Sequence, residues 1–416
     1  MPAHPGDRKC GTLFAPHSRY ETCWPAATSD STVTSLPRIL KGDEDAVERF
    51  ADQPLSSPPH VAVLFQDKLG GFVIATPLLR GLKEKYPGAV VDYFGGERTV
   101  ELEDACPYID ARYSVYGRPG ALRDLTPFIV ERERVAGPYD LAINLDFNPL
   151  NAFVASLLNP TYVVGRCFRT DGRGEMPPAN DRRGQIQNPG TFWAGESFLA
   201  EFGDVVQTNF IGEIFCQLAY VTTDFHHTEV PVAPPPVAVP DVLIGTGGTR
   251  TAKLWPLEYW KRLIEQCTAA NLSVGLLGAA PTLQQQAYGS AASEAALLRD
   301  TKLIDLRGTM TLPEVAGALQ AARACVAIDN GIMHLACGVG TPTVALFGAS
   351  PWELWVPRTT TVHLALPTDP CSLCRENRFV NNECLREQHV CMESITPDDV
   401  FQRLTHVIKA GPTTVV

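Results

Sequence analysis

From residue 61 onward, short apolar runs alternate with polar, glycine-containing turns and with apolar residues at helical spacing. Val61-Ala62-Val63-Leu64-Phe65 reads as a buried strand and Gln66 to Gly71 as a turn. Phe72 to Tyr86 reads as a helix, with Val73, Leu78, Leu79 and Leu82 at helical spacing. Val90-Val91-Asp92-Tyr93-Phe94 closes a βαβ unit, whose crossover is expected to be right-handed. Another strand is expected at Leu141 to Leu145. Residues Arg166 to Pro189, rich in Arg, Gly, Pro and Asn, read as a long loop.

Pro231 to Pro240 (PVAPPPVAVP) is the clearest linker, and its prolines make it a semi-rigid spacer. After it the alternation restarts. Strands are expected at Val242 to Ile244, Val274 to Gly278, Leu303 to Leu306, Cys325 to Ile328 and Thr343 to Gly348. Helices are expected at Pro256 to Ala269, where proline suits the first turn, at Leu312 to Ala322 and at Ile332 to Val339. Two βα arrays joined by a linker imply an α/β protein with two Rossmann-like domains facing a cleft. The expected boundaries are an irregular extension over 1–57, an N-terminal domain over 58–230, the linker at 231–240, a C-terminal domain over 241–396, and a helix with tail over 397–416. The last helix, Pro397 to Ile408, is expected to pack across both domains.

Composition excludes several classes. Hydrophobic residues make up 45% of the 416 positions and charged residues 19%, a globular profile. The net charge of −11 argues against a nucleic-acid binder and against general attraction to anionic membranes. No run of eighteen apolar residues occurs, and the first twenty residues lack the apolar core of a secretory signal. A cytoplasmic protein with at most peripheral contact at the inner membrane face is expected. In that compartment twelve cysteines point to thiols or a metal site before disulfides.

Chemistry concentrates where strands hand over to helices. The loop GTGGTRTAKLWP, Gly245 to Pro256, could cradle a phosphate with its amides, Thr249 and Lys253. It lacks the order of a Walker A motif. Asp329-Asn330-Gly331-Ile332-Met333-His334 follows a strand and opens a helix. Asp329 or Asn330 can serve as a helix cap, which needs neither Gly331 nor His334. The alternative is a diphosphate site, with Gly331 allowing close backbone approach and His334 adding a donor.

Several segments, in order, resemble the glycosyltransferase family of the ADP-heptose:lipopolysaccharide heptosyltransferases. They are DKLGGFVIATPLLRGLKEKYPGAVVDYF, Lys253-x-Trp255-Pro256 with its upstream loop, LRGTMTLPEVAGAL, DNGIMHLACGVGTPTVALFG and the tail ending CMESITPDDV. The resemblance runs from about Val61 to Ile408. It implies a GT-B fold, with an ADP-sugar in the C-terminal half and a glycan, lipid A-core or small-molecule acceptor in the N-terminal half. By position it assigns Thr249 and Lys253 to the donor phosphates, Met310 to the adenosine side, and Asp329, Asn330, Gly331 and His334 to the diphosphate and sugar. It implies no cofactor or metal at the reaction centre, and inversion by direct displacement.

Two departures bear on the chemistry. In the acceptor-side loop the family commonly reads Ile/Met-Gly-Asp with that Asp as base, whereas this chain reads Leu69-Gly70-Gly71. Asp67 is the nearest substitute and Asp146 the second, although Asp67 also suits a turn. The family's acidic residue near 279–282 is missing, where Ala279-Ala280-Pro281-Thr282 stands. Cys371-x2-Cys374-x9-Cys384-x6-Cys391 has a pair spacing fit for a closed structural zinc site, with iron the other option. The Arg166 to Arg183 stretch is either solvated surface or a contact for an anionic or sugar acceptor. The reading is therefore a heptosyl- or hexosyltransferase. Its rivals are a non-catalytic nucleotide-sugar binder, motivated by Gly71, and a GT-B nucleotide-sugar epimerase or hydrolase.

Overall fold

The computed structural model of the protein describes residues 47–188, 190–282 and 290–410. Most of the expected N-terminal extension and the final residues of the tail lie outside these. Two six-stranded sheets carry the fold, and every strand pairing in them is parallel.

The first sheet holds β1 (Glu48–Arg49), β2 (His60–Leu64), β3 (Val90–Gly96), β4 (Ala111–Tyr116), β5 (Leu141–Asn144) and β6 (Tyr162–Val164). Its order is β1-β6-β5-β2-β3-β4. The second holds β7 (Val242–Gly245), β8 (Val274–Leu276), β9 (Ile304–Asp305), β10 (Ala324–Ile328), β11 (Thr343–Leu346) and β12 (Val362–Ala365), in the order β12-β11-β10-β7-β8-β9. The central strands are buried along their whole length, so they read as unbroken apolar runs. Each fully buried Val, Leu or Ile there contributes about 1.5–3 kcal/mol through lost water contact.

Two expectations are corrected. The extension is not irregular to residue 57, because Glu48 and Arg49 pair with Tyr162 and Val163 as an edge strand. The Arg49 guanidinium reaches the carbonyls of Gly165, Met176 and Pro177, which fastens this strand to the loop behind it. The terminal helix Pro397–Ala410 does not lie across both halves. Its principal packing is against the helix Leu257–Ala269 and strands β10, β11 and β12. Trp255, buried beneath it, donates its indole N–H to the Ile395 carbonyl at 2.8 Å, so a large apolar body is buried without an orphaned donor.

The end of the first sheet remote from the cleft is pinned by a polar cluster. Asp92, fully buried, accepts from His60 at 2.9 Å, from Tyr139 at 2.9 Å and twice from Arg132 at 2.8 Å. Burial works against its ionisation, but His60 and Arg132 prevail and hold the carboxyl below its usual range.

Candidate active site

In a doubly wound sheet, the loops leaving the two central strands diverge to opposite faces and open a crevice. In the second sheet those strands are β7 and β10. The loop after β7 carries Thr249 and Lys253, and the turn after β10 carries Asp329 to His334. In the first sheet the central pair is β2 and β5, followed by Asp67 and Asp146 respectively. The candidates named from sequence thus leave the two switch points, one in each half.

In the second half, Lys253 sits on the short 3-10 turn Thr251–Lys253 and places Nζ 2.8 Å from Asp329 Oδ2. Both side chains are largely buried, and His334 Nε2 lies 3.8 Å from the other carboxylate oxygen. Burial opposes ionisation of Asp329, yet Lys253 and His334 outweigh it and hold the carboxyl far below the usual range. Asn330 is the helix cap, and it also ties two loops together. Its side-chain oxygen accepts from the Ile332 and Met333 amides, capping the helix Gly331–Gly338. Its amide nitrogen donates to the carbonyls of Gly245 and Gly247, tying that cap to the Lys253 loop. The Ile332 and Met333 amides are therefore already engaged, which narrows the expected amide cradle. Thr249 is exposed on the loop, and Met310 is partly buried at the edge of the core.

The two halves meet at helix starts. Helix Leu69–Lys85 packs against helix Gly331–Gly338. A Cβ on Gly70 would lie 2.8 Å from His334 Nε2, and one on Gly331 would lie 2.7 Å from Leu69 Cδ2. Each glycine is thus required by a side chain from the opposite half. A second crossing contact joins the Glu101 carboxylate to the Leu312 amide at 2.6 Å.

In the first half, the glycine at position 71 has a physical explanation. A Cβ on Gly71 would lie 2.8 Å from Phe65 Cε1, so the Phe65 ring occupies the room a side chain there would need. Asp67 lies against Gly96, with Arg98 Nε 3.9 Å from its carboxylate. Burial raises the Asp67 carboxyl above its usual range despite Arg98 and Lys68. Tyr116 feels both Asp67 and Asp146 electrostatically. Its hydroxyl is driven up first by burial and then by these two carboxylates, and it donates to Asn151 Oδ1 at 2.9 Å. Sequence reading missed Tyr116 and also Glu103. Burial pushes Glu103 up to about 7, although Thr99 and the Gly96 amide bind its Oε1. The available signal was an acidic residue in the short helix after Gly95-Gly96.

The cysteine segment has a structural role that its spacing did not reveal. All ten described cysteines are free thiols. Burial, then Cys374, Cys384 and Cys371, push the Cys391 thiol up to about 12. Among the described residues, no three or more His, Cys, Asp or Glu side chains stand in a metal-ligating arrangement. The segment buttresses the Lys253 loop: Asn382 accepts from the Ala252 amide, Asn381 accepts from Arg250, and His389 contacts the Ala252 carbonyl. It also reaches the first half, where Arg375 donates to the Ala194 carbonyl.

Two parallel sheets with chemistry at both switch points define a GT-B-type fold. The family model of glycosyltransferase family 9 (heptosyltransferase) matches residues 199–384. The chain is 31% identical over 176 residues to lipopolysaccharide heptosyltransferase 1 of Pseudomonas aeruginosa, covering 40% of this chain and 48% of that protein. It is 22% identical over 326 residues to lipopolysaccharide heptosyltransferase 3 of Escherichia coli, covering 69% and 83% respectively. The solved structure of the E. coli ADP-heptose lipopolysaccharide heptosyltransferase II superposes with a TM-score of 0.58 at 17% identity, over 84% of this chain and 99% of that one. The chain is thus similar to heptosyltransferases of glycosyltransferase family 9, and it spans about half the length of the Pseudomonas relative. Among the described residues, no helix is long and apolar enough to cross a membrane.

Proposed function

We propose that the protein transfers a heptose or related sugar from an ADP-sugar to an acceptor hydroxyl with inversion, in the cytoplasm and at most peripherally at the membrane. The observation that carries this reading is the joint placement of Lys253 and His334 on Asp329, directly beneath Gly70 of the acceptor-side loop. An arriving diphosphate meets the Lys253 ammonium and the Gly331 helix start, which stabilise negative charge on the leaving group. The acceptor hydroxyl approaches from the Asp67 and Asp146 side and gives up its proton there.

Calorimetric titration with ADP, UDP and GDP tests the donor site. Selective ADP binding is expected; a folded protein that binds none of the three removes this reading. A non-catalytic nucleotide-sugar binder is the second reading, favoured by Phe65 filling the space beside Gly71. ADP binding without transfer to any acceptor would establish it.

The thiols of Cys371, Cys374, Cys384 and Cys391 would form a structural zinc or iron site only after a rearrangement of side chains, stiffening the segment that supports the Lys253 loop. Elemental analysis of purified protein should then find about one metal per chain. Four freely titrating thiols in folded, metal-free protein would exclude it.

A further inference from the structure

The acceptor side carries an aromatic row that the donor chemistry does not use. It begins at Phe65, beneath Gly71, and continues to Phe215 at a ring separation of 5.2 Å. Trp193 follows at 6.4 Å and Phe147 at 5.5 Å. The inner members are packed, whereas Phe147 at the outer end is 42% exposed. Phe147 directly follows Asp146 beyond the end of β5, at the switch point of the first sheet. Its backbone is held there, because Arg166 donates to the Phe147 carbonyl while pairing with Glu175. The Trp193 loop is anchored to the second half through Ala194 and Arg375. An exposed ring is thus fixed beside a candidate base, close to where the two halves meet.

The charges around it favour one class of occupant. The arginines of the 166–183 loop are largely spent on neighbours. Arg166 pairs with Glu175, Arg169 with Asp171, and Arg182 with Asp204, while Arg183 donates to the Gln217 carbonyl and stacks over Tyr220. Cations already paired on an acidic protein attract a phosphate weakly, and Asp67 and Asp146 repel one. A neutral sugar fits this setting better. Its apolar ring face lies on an aromatic side chain, and its hydroxyls donate to carboxylates.

We propose that Phe147, backed by Trp193, is the acceptor platform, and that it selects an uncharged saccharide over a phosphorylated one. This rests on the transferase reading above and deepens its acceptor half. The test is saturation-transfer NMR on the full chain with ADP present, using methyl glycosides of glucose, galactose and mannose, the corresponding 6-phosphates, and a serine-containing peptide. Neutral glycosides should receive saturation. Phe147→Ala should reduce that signal several-fold, Phe147→Trp should retain it, and ADP affinity should stay unchanged in both. A signal confined to the phosphorylated sugars or to the peptide overturns the proposal, as does an undiminished signal in Phe147→Ala. Loss of ADP binding by the wild type would instead defeat the donor reading, so the two failures are distinguishable.

Discussion

Lys253→Ala is expected to lower kcat for sugar transfer by about 10²–10³-fold, the scale found when one preorganised group is removed from a developing negative charge. ADP affinity should fall with it. The side chain is nearly buried and already paired with Asp329 at 2.8 Å, so it needs little ordering when a diphosphate arrives. A purely structural role makes a competing prediction. Removing one partner of a buried ion pair leaves an uncompensated charge and costs about 3–5 kcal/mol of stability. The double variant Lys253→Ala/Asp329→Asn separates the two. Stability should return, because no unpaired carboxylate remains, whereas ADP binding should stay lost. Recovery of ADP binding in the double variant would sink the donor assignment. The pH dependence provides a further check. The Asp329 carboxyl is depressed in the folded state, so its contribution to stability is fully present above the unfolded value of about 3.9 and is lost as pH falls through the folded pKa. The stability gap between wild type and Asp329→Asn should therefore narrow only in strong acid.

Much of this site was legible because its elements are local. A buried apolar run followed by a polar glycine turn marked β2, β7 and β10, and Asp67, Thr249 and Asp329 stand within a few residues of those runs, while Asp146 follows β5. Four strands escaped notice: β6, whose apolar run Tyr162–Val164 is only three residues long, and three that lack that signature. β4 reads ARYSVY and β12 reads VHLA, with polar side chains interrupting the run, and β1 is only two residues long. Long-range packing was equally hidden. Asn330 could be named as a cap or as a ligand, but its bonds to Gly245 and Gly247 exist only once β7 and β10 lie side by side. Phe65 stands six residues before Gly71, yet nothing in that spacing shows its ring covering the glycine. The arginine loop could be read as solvated surface or as a contact for an acceptor, because its pairings, with Glu175 and Asp204 among them, are assigned only by the fold.

The base is where sequence and fold together make the sharpest demand. Asp67→Asn should reduce kcat by about 10²–10⁴-fold while leaving ADP affinity intact, as expected for loss of a positioned general base. Its environment predicts the sign of the pH profile. A base works only when deprotonated, and burial raises the Asp67 carboxyl above its ordinary range. The rate should therefore fall as pH drops through that raised pKa, giving an acid limb above pH of about 3.9, the unperturbed value. Asp67→Asn should abolish this limb along with most of the activity. If Asp146→Asn produces the loss and Asp67→Asn does not, the proton leaves by the second carboxylate near Tyr116. A rescue experiment then asks whether a carboxylate at position 71 can act as the base that the family resemblance implies there. Gly71→Asp alone should fail, because its Cβ would lie 2.8 Å from the Phe65 ring. Adding Phe65→Ala opens that space, and the triple variant Asp67→Asn/Gly71→Asp/Phe65→Ala should regain transfer. Rescue by Gly71→Asp with Phe65 intact would mean that the ring yields easily, and that packing does not exclude a carboxylate from this position.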